Sequence, residues 1–237
     1  MPDLDVIVLS RDRPDLFAAC LDSVERQGVS YHGILIDNGS DGISAGYAHL
    51  HGWTVVNLGR NTGFSEGNNI GISKGAAPRV LLLNNDAVLH DDALPALLDH
   101  DGGIVSSLNL NVDGTVNHAG GIFTSAGSPR HEGRGDQPEK WACHPAKWAT
   151  FACALIQRRL LDDVGPMDEG YWYAYEDVDY CLQARRHGWT IEVCADALVT
   201  HPELSTRDPR DSNPGRLRFE QKWPDPHGVQ AQTNTHL

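Results

Sequence analysis

The sequence predicts an α/β fold with a mostly parallel central sheet flanked by helices, and two observations lead to this prediction. Over the first hundred residues, short apolar runs rich in β-branched residues alternate with segments whose apolar residues recur at helical spacing. Strands that alternate with helices form right-handed βαβ units and therefore parallel sheets. The chain of 237 residues is also long enough to bury a sizeable core.

The elements of the first hundred residues follow from these patterns. Four apolar runs predict strands, at residues 5–10, 33–37, 53–58 and 79–83. Three segments predict helices, at residues 14–27, 65–74 and about 92–98. Pro14 suits the first turn of a helix, and Ser65 and Asp91 or Asp92 are residue types that cap one.

The pattern changes after Gly102 and predicts a smaller antiparallel subregion. Residues 104–110 and the segment from Val116 are expected to pair around the tight turn at Asp113 and Gly114. Residues 126–147, rich in glycine, proline and charge, are either a mobile lid or a long surface excursion. Further helices are predicted at residues 158–164, 176–187 and 214–223, and short strands at residues 189–194 and 197–200.

We therefore expect one domain over residues 1–223, followed by a flexible C-terminal tail over residues 224–237. Its two halves would meet near residue 100. The five cysteines are odd in number and form no CxxC pair, so we expect reduced core thiols rather than disulfides or zinc ligands.

The charge of the chain restricts its partners. Acidic residues outnumber basic ones by 32 to 19, which gives a net charge of -13. Nucleic acid is therefore excluded as an expected partner, because phosphate binding needs clustered Lys and Arg. No apolar run approaches a membrane span, and the acidic residues Asp3 and Asp5 stand where a signal peptide would be basic. We expect a cytoplasmic protein without an integral membrane segment.

Four polar segments directly follow the predicted strands of the parallel sheet. They are residues 10–12 (SRD), 37–40 (DNGS), 59–61 (GRN) and 84–86 (NND). Ligands of such sheets bind beyond the carboxyl ends of the strands, so the four segments together predict a site. Glycine and asparagine are also dense over residues 60–69, as expected where a backbone approaches a ligand closely.

The strongest local signal is the segment 171–180 (YWYAYEDVDY). The helix dipole partly explains carboxylates at the start of a helix. It does not explain the aromatic side chains before them, which would build a flat surface suited to a sugar whose hydroxyl a carboxylate deprotonates. Asp86 could equally cap a turn or bind a hard cation, and a histidine such as His201 is more often structural than a ligand.

Taken in this order, the segments resemble the bacterial glycosyltransferase family 2, of the GT-A fold, and in particular its rhamnosyltransferase-like members. The resemblance covers roughly Leu4 to Trp223. Its markers are VIVLSRDRPDLFAACLDSV, ILIDNGS, VVNLGRNTGFSEGNNIGI, VLLLNNDAVL and ALIQRRLLDDVGPMDEGYWYAYEDVDYCLQARRHGW. The chain lacks the Walker and HExxH motifs of other enzyme classes, and no GxGxxG follows its first strand.

The resemblance implies an inverting transfer of a sugar from a nucleoside-diphosphate sugar to an acceptor hydroxyl. Asp177 matches the family's catalytic base and Glu176 the residue that shapes the site. Asp86 ends the segment equivalent to the DxD motif and, with His201, would bind Mg²⁺ or Mn²⁺. Asp37 would contact the nucleotide base; a carboxylate can accept the N–H of uracil, thymine or guanine but finds none at N3 of cytosine, so UDP, dTDP or GDP donors are expected.

Further residues are implied on both sides of the site. On the nucleotide-sugar side they are Ser10, Arg11, Asp37, Asn38, Arg60, Asn61, Gly63, Asn68, Asn84 and Asn85. On the acceptor side they are Trp172, Tyr173 and Tyr175. The acceptor itself could be a sugar, a lipid-linked glycan or a natural product, with its specificity set by residues 126–148.

Two positions depart from the family pattern. The segment Asn84–Asp86 offers one carboxylate, and Cys153 stands where the family usually has glycine, which either narrows the acceptor side or reflects a different local backbone. A non-catalytic nucleotide-sugar or glycan-binding module of the same fold is the alternative function. A sugar-1-phosphate nucleotidylyltransferase is disfavoured because no glycine-rich loop with arginine follows the first strand.

Overall fold

The computed structural model describes residues 2–202 and 215–229, which contain twelve strands and seven α-helices. The strands are β1 (Leu4–Ser10), β2 (His32–Asp37), β3 (Thr54–Asn57), β4 (Arg79–Asn84), β5 (Val88–Leu89), β6 (Ile104–Leu110), β7 (Val116–His118), β8 (Gly121–Phe123), β9 (Pro129–His131), β10 (His144–Pro145), β11 (Cys153–Gln157) and β12 (Ile191–Thr200). The helices are α1 (Pro14–Glu25), α2 (Ile43–Leu50), α3 (Gly63–Lys74), α4 (Ala93–Leu98), α5 (Arg158–Val164), α6 (Glu176–Arg186) and α7 (Gly215–Lys222).

One large sheet runs through the molecule in the order β10-β12-β6-β11-β4-β1-β2-β3. β1 pairs in parallel with β2 and β4, β2 with β3, and β6 with β12. β11 lies antiparallel between β4 and β6 and so joins the two parallel groups. β8 and β9 form a small separate antiparallel sheet. The predicted α/β class, with a mixed and mostly parallel sheet flanked by helices and a small antiparallel part, is confirmed.

The sheet is buried on both faces, which explains its nearly unbroken apolar strands. Along β1, Val6 and Val8 face a core cluster that contains α1, whereas Ile7 faces the cluster on the other side of the sheet. The second cluster also contains Val178 and Tyr180 of α6. Because both faces are covered, functional groups of the sheet can reach ligands only at the ends of its strands.

Three local predictions differ from the structure. α2 was not predicted, because it buries only Ser44 and Ala48 and leaves Ile43 and Leu50 exposed, so it has no apolar stripe. The two predicted strands after α6 are one strand, β12, interrupted by a bulge between Cys194 and Leu198. Residues 126–147 form a surface excursion rather than a separate lid, since β9 pairs with β8 and β10 with β12.

The segment after α7 packs on the domain as far as the structure describes it. Trp223, Pro226 and Val229 are buried, and the Val229 carbonyl accepts a hydrogen bond from Arg185 at 3.2 Å. The boundary predicted at residue 223 therefore falls within a packed segment, and residues 230–237 of the predicted tail lie outside the described residues. Among the described helices, none is long and apolar enough to cross a membrane. A cytoplasmic location stays a prediction.

A buried ion pair ties the first strand to α5. The Asp5 carboxylate, 2% exposed, accepts hydrogen bonds from Arg158 Nη2 at 2.9 Å and from the Ala77 amide at 2.8 Å. Its other oxygen lies 3.0 Å from His32 Nδ1. Arg158 also donates from Nε to the Ala77 carbonyl at 2.6 Å. These contacts hold β1, the turn before β4 and α5 together at the amino end of the sheet.

We predict that Arg158→Ala lowers the free energy of unfolding by about 3 kcal/mol, because it leaves the buried Asp5 carboxylate without its cation. Urea denaturation measures the loss. Arg159→Ala is the matched control: its exposed guanidinium lies 5.2 Å from the ring centroid of Trp189, and removing it should cost less than about 1 kcal/mol. Equal losses in the two variants would contradict the prediction.

Candidate active site

The carboxyl ends of β1, β2 and β4 meet at Ser10. Its carbonyl accepts the Asn38 amide at 2.9 Å, and its buried hydroxyl accepts Asn85 Nδ2 at 3.2 Å. Ser40 Oγ in turn accepts the Asp12 amide at 3.1 Å. Three of the four polar segments predicted from the sequence are therefore joined by direct hydrogen bonds, as parallel strand pairing requires.

The turn after β2 is built around Asp37. Its carboxylate is completely buried and accepts the Ser40 amide at 2.8 Å and Asn57 Nδ2 at 3.4 Å. Gly39 has φ 86°, and a Cβ there would lie 2.8 Å from the Arg60 carbonyl carbon. The turn needs glycine because the fourth polar segment packs directly on its backbone.

An amide pair fastens this fourth segment to the turn. Asn38 Nδ2 donates to Asn61 Oδ1 at 3.0 Å, and Asn61 Oδ1 also accepts the Gly63 amide at 3.0 Å. Asn38 Oδ1 accepts both the amide and the hydroxyl of Thr62, at 2.8 and 2.9 Å. These interactions position the start of α3, which begins at Gly63 rather than at the predicted Ser65.

The segment after β4 carries the candidate metal ligands. Asp86 is 5% exposed, and its Oδ1 lies 3.2 Å from Nε2 of His201. The same Nε2 lies 3.2 Å from Nδ2 of Asn84. His201 follows β12 directly, and its amide donates to the Leu110 carbonyl at 2.9 Å. The fold thus brings together two residues that are 115 positions apart in the sequence.

This donor pair fits a divalent cation. A carboxylate oxygen and an imidazole nitrogen this close together can both bind the same ion. Adjacent ligands of an octahedral ion with bonds of about 2.1 Å lie about 3 Å apart, close to this separation, and carboxylate with imidazole suits Mn²⁺ and related ions.

The three arginines near these loops differ in placement. Arg11 and Arg60 have side chains that are 53% and 61% exposed and form ion pairs with Asp12 and Glu66. The third arginine is Arg13, whose pKa is raised mainly because it hydrogen-bonds Asp15, and the negative charge of Asp86 adds to the rise. No sequence motif singled out Arg13, although its place in the turn after β1 brings a positive charge near Asp86.

The aromatic loop, residues 171–175, contacts the start of α3. Its Trp172 carbonyl accepts the Phe64 amide at 2.8 Å. A Cβ added to Gly63 would lie 2.6 Å from that carbonyl oxygen and 3.2 Å from the Trp172 ring. Trp172, 45% exposed, thus packs on the start of α3 beside Gly63, and its role on the acceptor side stays a prediction.

The loop enters α6 through a strained backbone. Ala174 and Tyr175 have φ of 62° and 73°, a left-handed conformation that non-glycine residues rarely adopt. Each such residue costs on the order of 1 kcal/mol and persists only where the surroundings enforce it. The strain fixes the direction of the carboxylates that follow, Glu176 and Asp177.

Asp177 is half-buried and accepts several hydrogen bonds. Burial raises its pKa to about 6, although hydrogen bonds from the Val178 amide, the Thr150 side chain and the Phe151 amide oppose the rise. In the same segment, the Ala152 carbonyl accepts a hydrogen bond from the Asn84 amide at 2.8 Å. Residues 150–152 thus connect the candidate base to the metal-ligand segment. Glu176, which is buried, begins α6 beside it.

Asp179, the third carboxylate of this segment, has a supporting role that the sequence did not reveal. It is 1% exposed and accepts hydrogen bonds from Trp223 Nε1 at 2.6 Å, Lys222 Nζ at 2.9 Å, Gln183 Nε2 at 2.6 Å and Tyr171 Oη at 3.3 Å. It therefore connects the aromatic loop and α6 to the C-terminal helix.

Asp168 makes a second connection to that helix. Burial alone would raise its pKa, but hydrogen bonds from Arg218, the Gly170 amide and Lys222 lower it to about 2. A Cβ on Gly215, the first residue of α7, would lie 2.2 Å from the Ala174 carbonyl oxygen. α7 thus packs directly against the strained part of the aromatic loop.

A pocket of about 120 Å³ opens where the excursion meets this helix. It is lined by Tyr175, Phe219 and Trp223 together with residues 126–129. The Tyr175 and Phe219 ring centroids are 5.1 Å apart. Tyr173 is partly buried in the same loop.

Two residues singled out from the sequence, Asn68 and Cys153, are buried within α3 and β11 and do not lie in the loops at the strand ends. Asn68 is buried within α3, and its Nδ2 donates to the Phe64 carbonyl at 3.0 Å, so it stabilises the helix. Cys153, which stands where the family usually has glycine, is buried in the core cluster that contains Cys20 and pairs with Leu83 in β11.

Comparisons with known proteins are consistent with this geometry. The family model described as Glycosyl transferase family 2 matches residues 5–165. The O-antigen biosynthesis protein RfbC of Myxococcus xanthus is 27% identical over 229 residues, which are 87% of this chain and 18% of that protein. The hexosyltransferase Agl10 of low-salt glycan biosynthesis in Haloferax volcanii is 27% identical over 190 residues, 73% of this chain and 60% of that protein. The chain thus spans less than two thirds of the length of these relatives.

Solved structures share the fold. GalNAc-T7 with UDP, GalNAc and Mn²⁺ has a TM-score of 0.74 at 14% identity, over 95% of this chain and 49% of that one. The mannosyltransferase PcManGT of Pyrobaculum calidifontis, with GDP-Man and Mn²⁺, has a TM-score of 0.63 at 18% identity, over 93% of this chain and 61% of that one. The GT-A fold implied by the sequence is confirmed.

We predict that Gly63→Ala lowers the free energy of unfolding by about 2–4 kcal/mol, since it adds a clash with Trp172 to a positive φ of 76°. Gly59→Ala is the control. Gly59 also has positive φ, 64°, but a Cβ there meets nothing within 4 Å, so its cost should be only about 1 kcal/mol. Urea denaturation of both variants isolates the clash, and equal costs would show that the contact with the aromatic loop contributes nothing.

Proposed function

Because the chain belongs to glycosyl transferase family 2, we propose that it transfers a sugar from a nucleoside-diphosphate sugar to an acceptor hydroxyl, with inversion at the anomeric carbon and a divalent cation. The observation that carries this proposal is the juxtaposition of Asp86 and His201 beside loops that close around Ser10. GalNAc-T7 and PcManGT, which share the fold, were both solved with a nucleotide or nucleotide sugar and Mn²⁺.

On the donor side, this chain's residues would bind and orient the nucleotide. The turn containing Asp37 and Asn38 is held by internal hydrogen bonds. The Asp37 carboxylate is completely buried in this structure, so it would accept the N–H of uracil, thymine or guanine only after the neighbouring loops move to admit the base. We therefore propose a UDP, dTDP or GDP donor and expect CDP to bind least well.

On the acceptor side, Asp177 would act as the base. It takes the proton of the acceptor hydroxyl while that oxygen forms a bond to the anomeric carbon and the bond from this carbon to the diphosphate oxygen breaks. A pKa of about 6 keeps the carboxylate ionised at neutral pH while making it more basic than an exposed aspartate. A bound Mg²⁺ or Mn²⁺ would neutralise the charge of the departing nucleoside diphosphate.

The acceptor would lie against the aromatic loop and the pocket lined by Tyr175, Phe219 and residues 126–129. Aromatic faces suit the C–H surfaces of sugars, and a pocket of about 120 Å³ has room for part of one ring. We propose a sugar, a lipid-linked glycan or a natural product as acceptor, with the excursion contributing to its selection.

The first test measures thermal stabilisation by UDP, dTDP, GDP and CDP, each with and without Mn²⁺, in wild type and Asp86→Ala. A ligand at 100 times its dissociation constant adds about 2.7 kcal/mol to the free energy of unfolding. We expect a Mn²⁺-dependent shift with one of the first three nucleotides that is lost in Asp86→Ala. The absence of any shift would contradict the proposal.

A separate prediction concerns Asp177→Asn, which removes the proposed base. We expect transfer to fall by at least about a hundredfold while the nucleotide-induced thermal shift stays near normal. In the wild type, the rate should decline as pH falls through about 6, because the carboxyl group becomes protonated. Transfer retained in this variant would exclude Asp177 as the base and reopen the alternative of a binding module.

The same variant should be more stable than the wild type at pH 7.5. The folded-state pKa of Asp177 lies above the ordinary value of 3.8, so the folded state binds the proton more tightly than the unfolded state does. Wild-type stability therefore decreases as pH rises from about 4 to 6, and the deficit persists above pH 6, at about 1–3 kcal/mol. Equal stability of the two proteins at pH 7.5 would contradict the buried-charge explanation.

A further inference from the structure

A second cluster of potential ligands lies away from the candidate active site. His100 follows α4, Cys143 precedes β10 and Cys194 lies in β12, and one ligand atom from each of these residues lies within 4.8 Å of the other two. We propose that His100, Cys143 and Cys194 form a structural zinc site. The sequence predicted core thiols rather than zinc ligands, and Cys143 departs from that prediction because its side chain is exposed.

Strand pairing brings the two cysteines together. In the antiparallel ladder of β10 and β12, His144 pairs with Val193. One residue further along both strands stand Cys143 and Cys194, which are therefore opposite each other. Their thiol groups are within hydrogen-bonding distance. Because directly opposed side chains point to the same face of a sheet, both sulfurs are available to a single ion.

The bulge in β12 turns backbone amides toward these sulfurs. The Ala195 amide donates to Cys143 Sγ at 3.3 Å, and the amides of Asp196 and Ala197 donate to Cys194. Burial raises the pKa of the Cys194 thiol, and these hydrogen bonds oppose that rise by favouring the thiolate, the form in which cysteine binds a metal. An ordinary ladder position would direct these amides to the neighbouring strand, so the bulge explains how three of them reach two thiols.

His100 completes the set and has the usual outer partner of a metal-binding histidine. Its Nδ1 lies 3.3 Å from Oε2 of Glu192, a residue of β12. A carboxylate that hydrogen-bonds the imidazole fixes the ring orientation and raises its basicity. Asp196, whose Oδ2 lies 3.6 Å from Cys143 Sγ, is close enough to supply the fourth ligand in place of water.

The ligand chemistry favours Zn²⁺ over the hard cations expected at Asp86. Bond lengths of about 2.3 Å to sulfur and about 2.0 Å to nitrogen place tetrahedral ligands about 3.5–3.8 Å apart, so ligand atoms within 4.8 Å of one another need to approach by about 1.3 Å at most. Thiolate and imidazole ligands suit zinc, whereas Mg²⁺ requires oxygen. Binding releases the two thiol protons to solvent.

Such a site would stabilise the end of the excursion. β10 contains only two residues and lies at the edge of the sheet. An ion held by His100, Cys143 and Cys194 would fasten it to α4 and β12 and would resist the separation of this edge strand.

The test is a titration with Co²⁺ of the reduced, metal-free full chain carrying Asp86→Ala, which removes a ligand of the proposed donor-side cation. We expect one equivalent of Co²⁺ to produce a thiolate-to-cobalt charge-transfer band in the near ultraviolet, and Zn²⁺ to displace the cobalt.

Cys143→Ser should abolish the band, and because this side chain is exposed the variant should still fold. His100→Ala should weaken binding about tenfold or more. Cys20→Ala, which removes a buried thiol of α1, is the control and should bind normally.

Absence of the charge-transfer band in the Asp86→Ala protein would overturn the proposal, as would a band that persists in Cys143→Ser. An intact mass two hydrogens lower under non-reducing conditions, lost in Cys143→Ser, would identify a Cys143–Cys194 disulfide instead and would equally overturn it. Because only thiolate ligation gives the band, the result is independent of nucleotide binding and of glycosyl transfer.

Discussion

The site depends on one constraint, the meeting of parallel strands at the end of β1. Ser10 serves two neighbours at once, since its carbonyl binds the turn after β2 and its hydroxyl binds the segment after β4. Strand pairing places these segments within a hydrogen bond of each other without any contribution from a ligand. The polar residues here therefore act first as structure, and their remaining hydrogen-bonding capacity is what a ligand can use.

The proposed acceptor side depends on the sheet less directly. The segment 150–152 touches Asp177 at one end and Asn84 at the other, so the two sides share a single piece of backbone just before β11. β11 is the antiparallel strand that joins the two parallel groups of the sheet. A shift in β11 would therefore change the distance between the proposed base and the proposed metal ligands.

The sequence could predict those parts of the fold and of the candidate site that leave a pattern within a short stretch of residues. The buried strands and most helices were visible because apolar periodicity reports burial, and Asp86, Asp177 and the DNGS turn stood in recognisable motifs. α2 lacks an apolar stripe, and the contacts of Asp179 with Lys222 and Trp223 join residues more than forty positions apart, so neither has a local signal. The motif also led to the prediction of Asn68 as a ligand-binding residue, but its side-chain amide donates to the Phe64 carbonyl within α3.

The packing of α7 against the aromatic loop has a consequence for synthesis on the ribosome. Lys222 and Trp223 lie 43 and 44 residues beyond Asp179, so their chain segment emerges after β12 is complete. The nascent protein can assemble its sheet and the loops around Ser10 before Lys222 is available to pair with Asp179. The loop before α6 is at that stage not yet packed against α7. The contacts of Lys222 and Trp223 with Asp179 therefore form later than the sheet and the loops around Ser10, and the backbone before α6 reaches its final form only after residues 215–223 have left the ribosome.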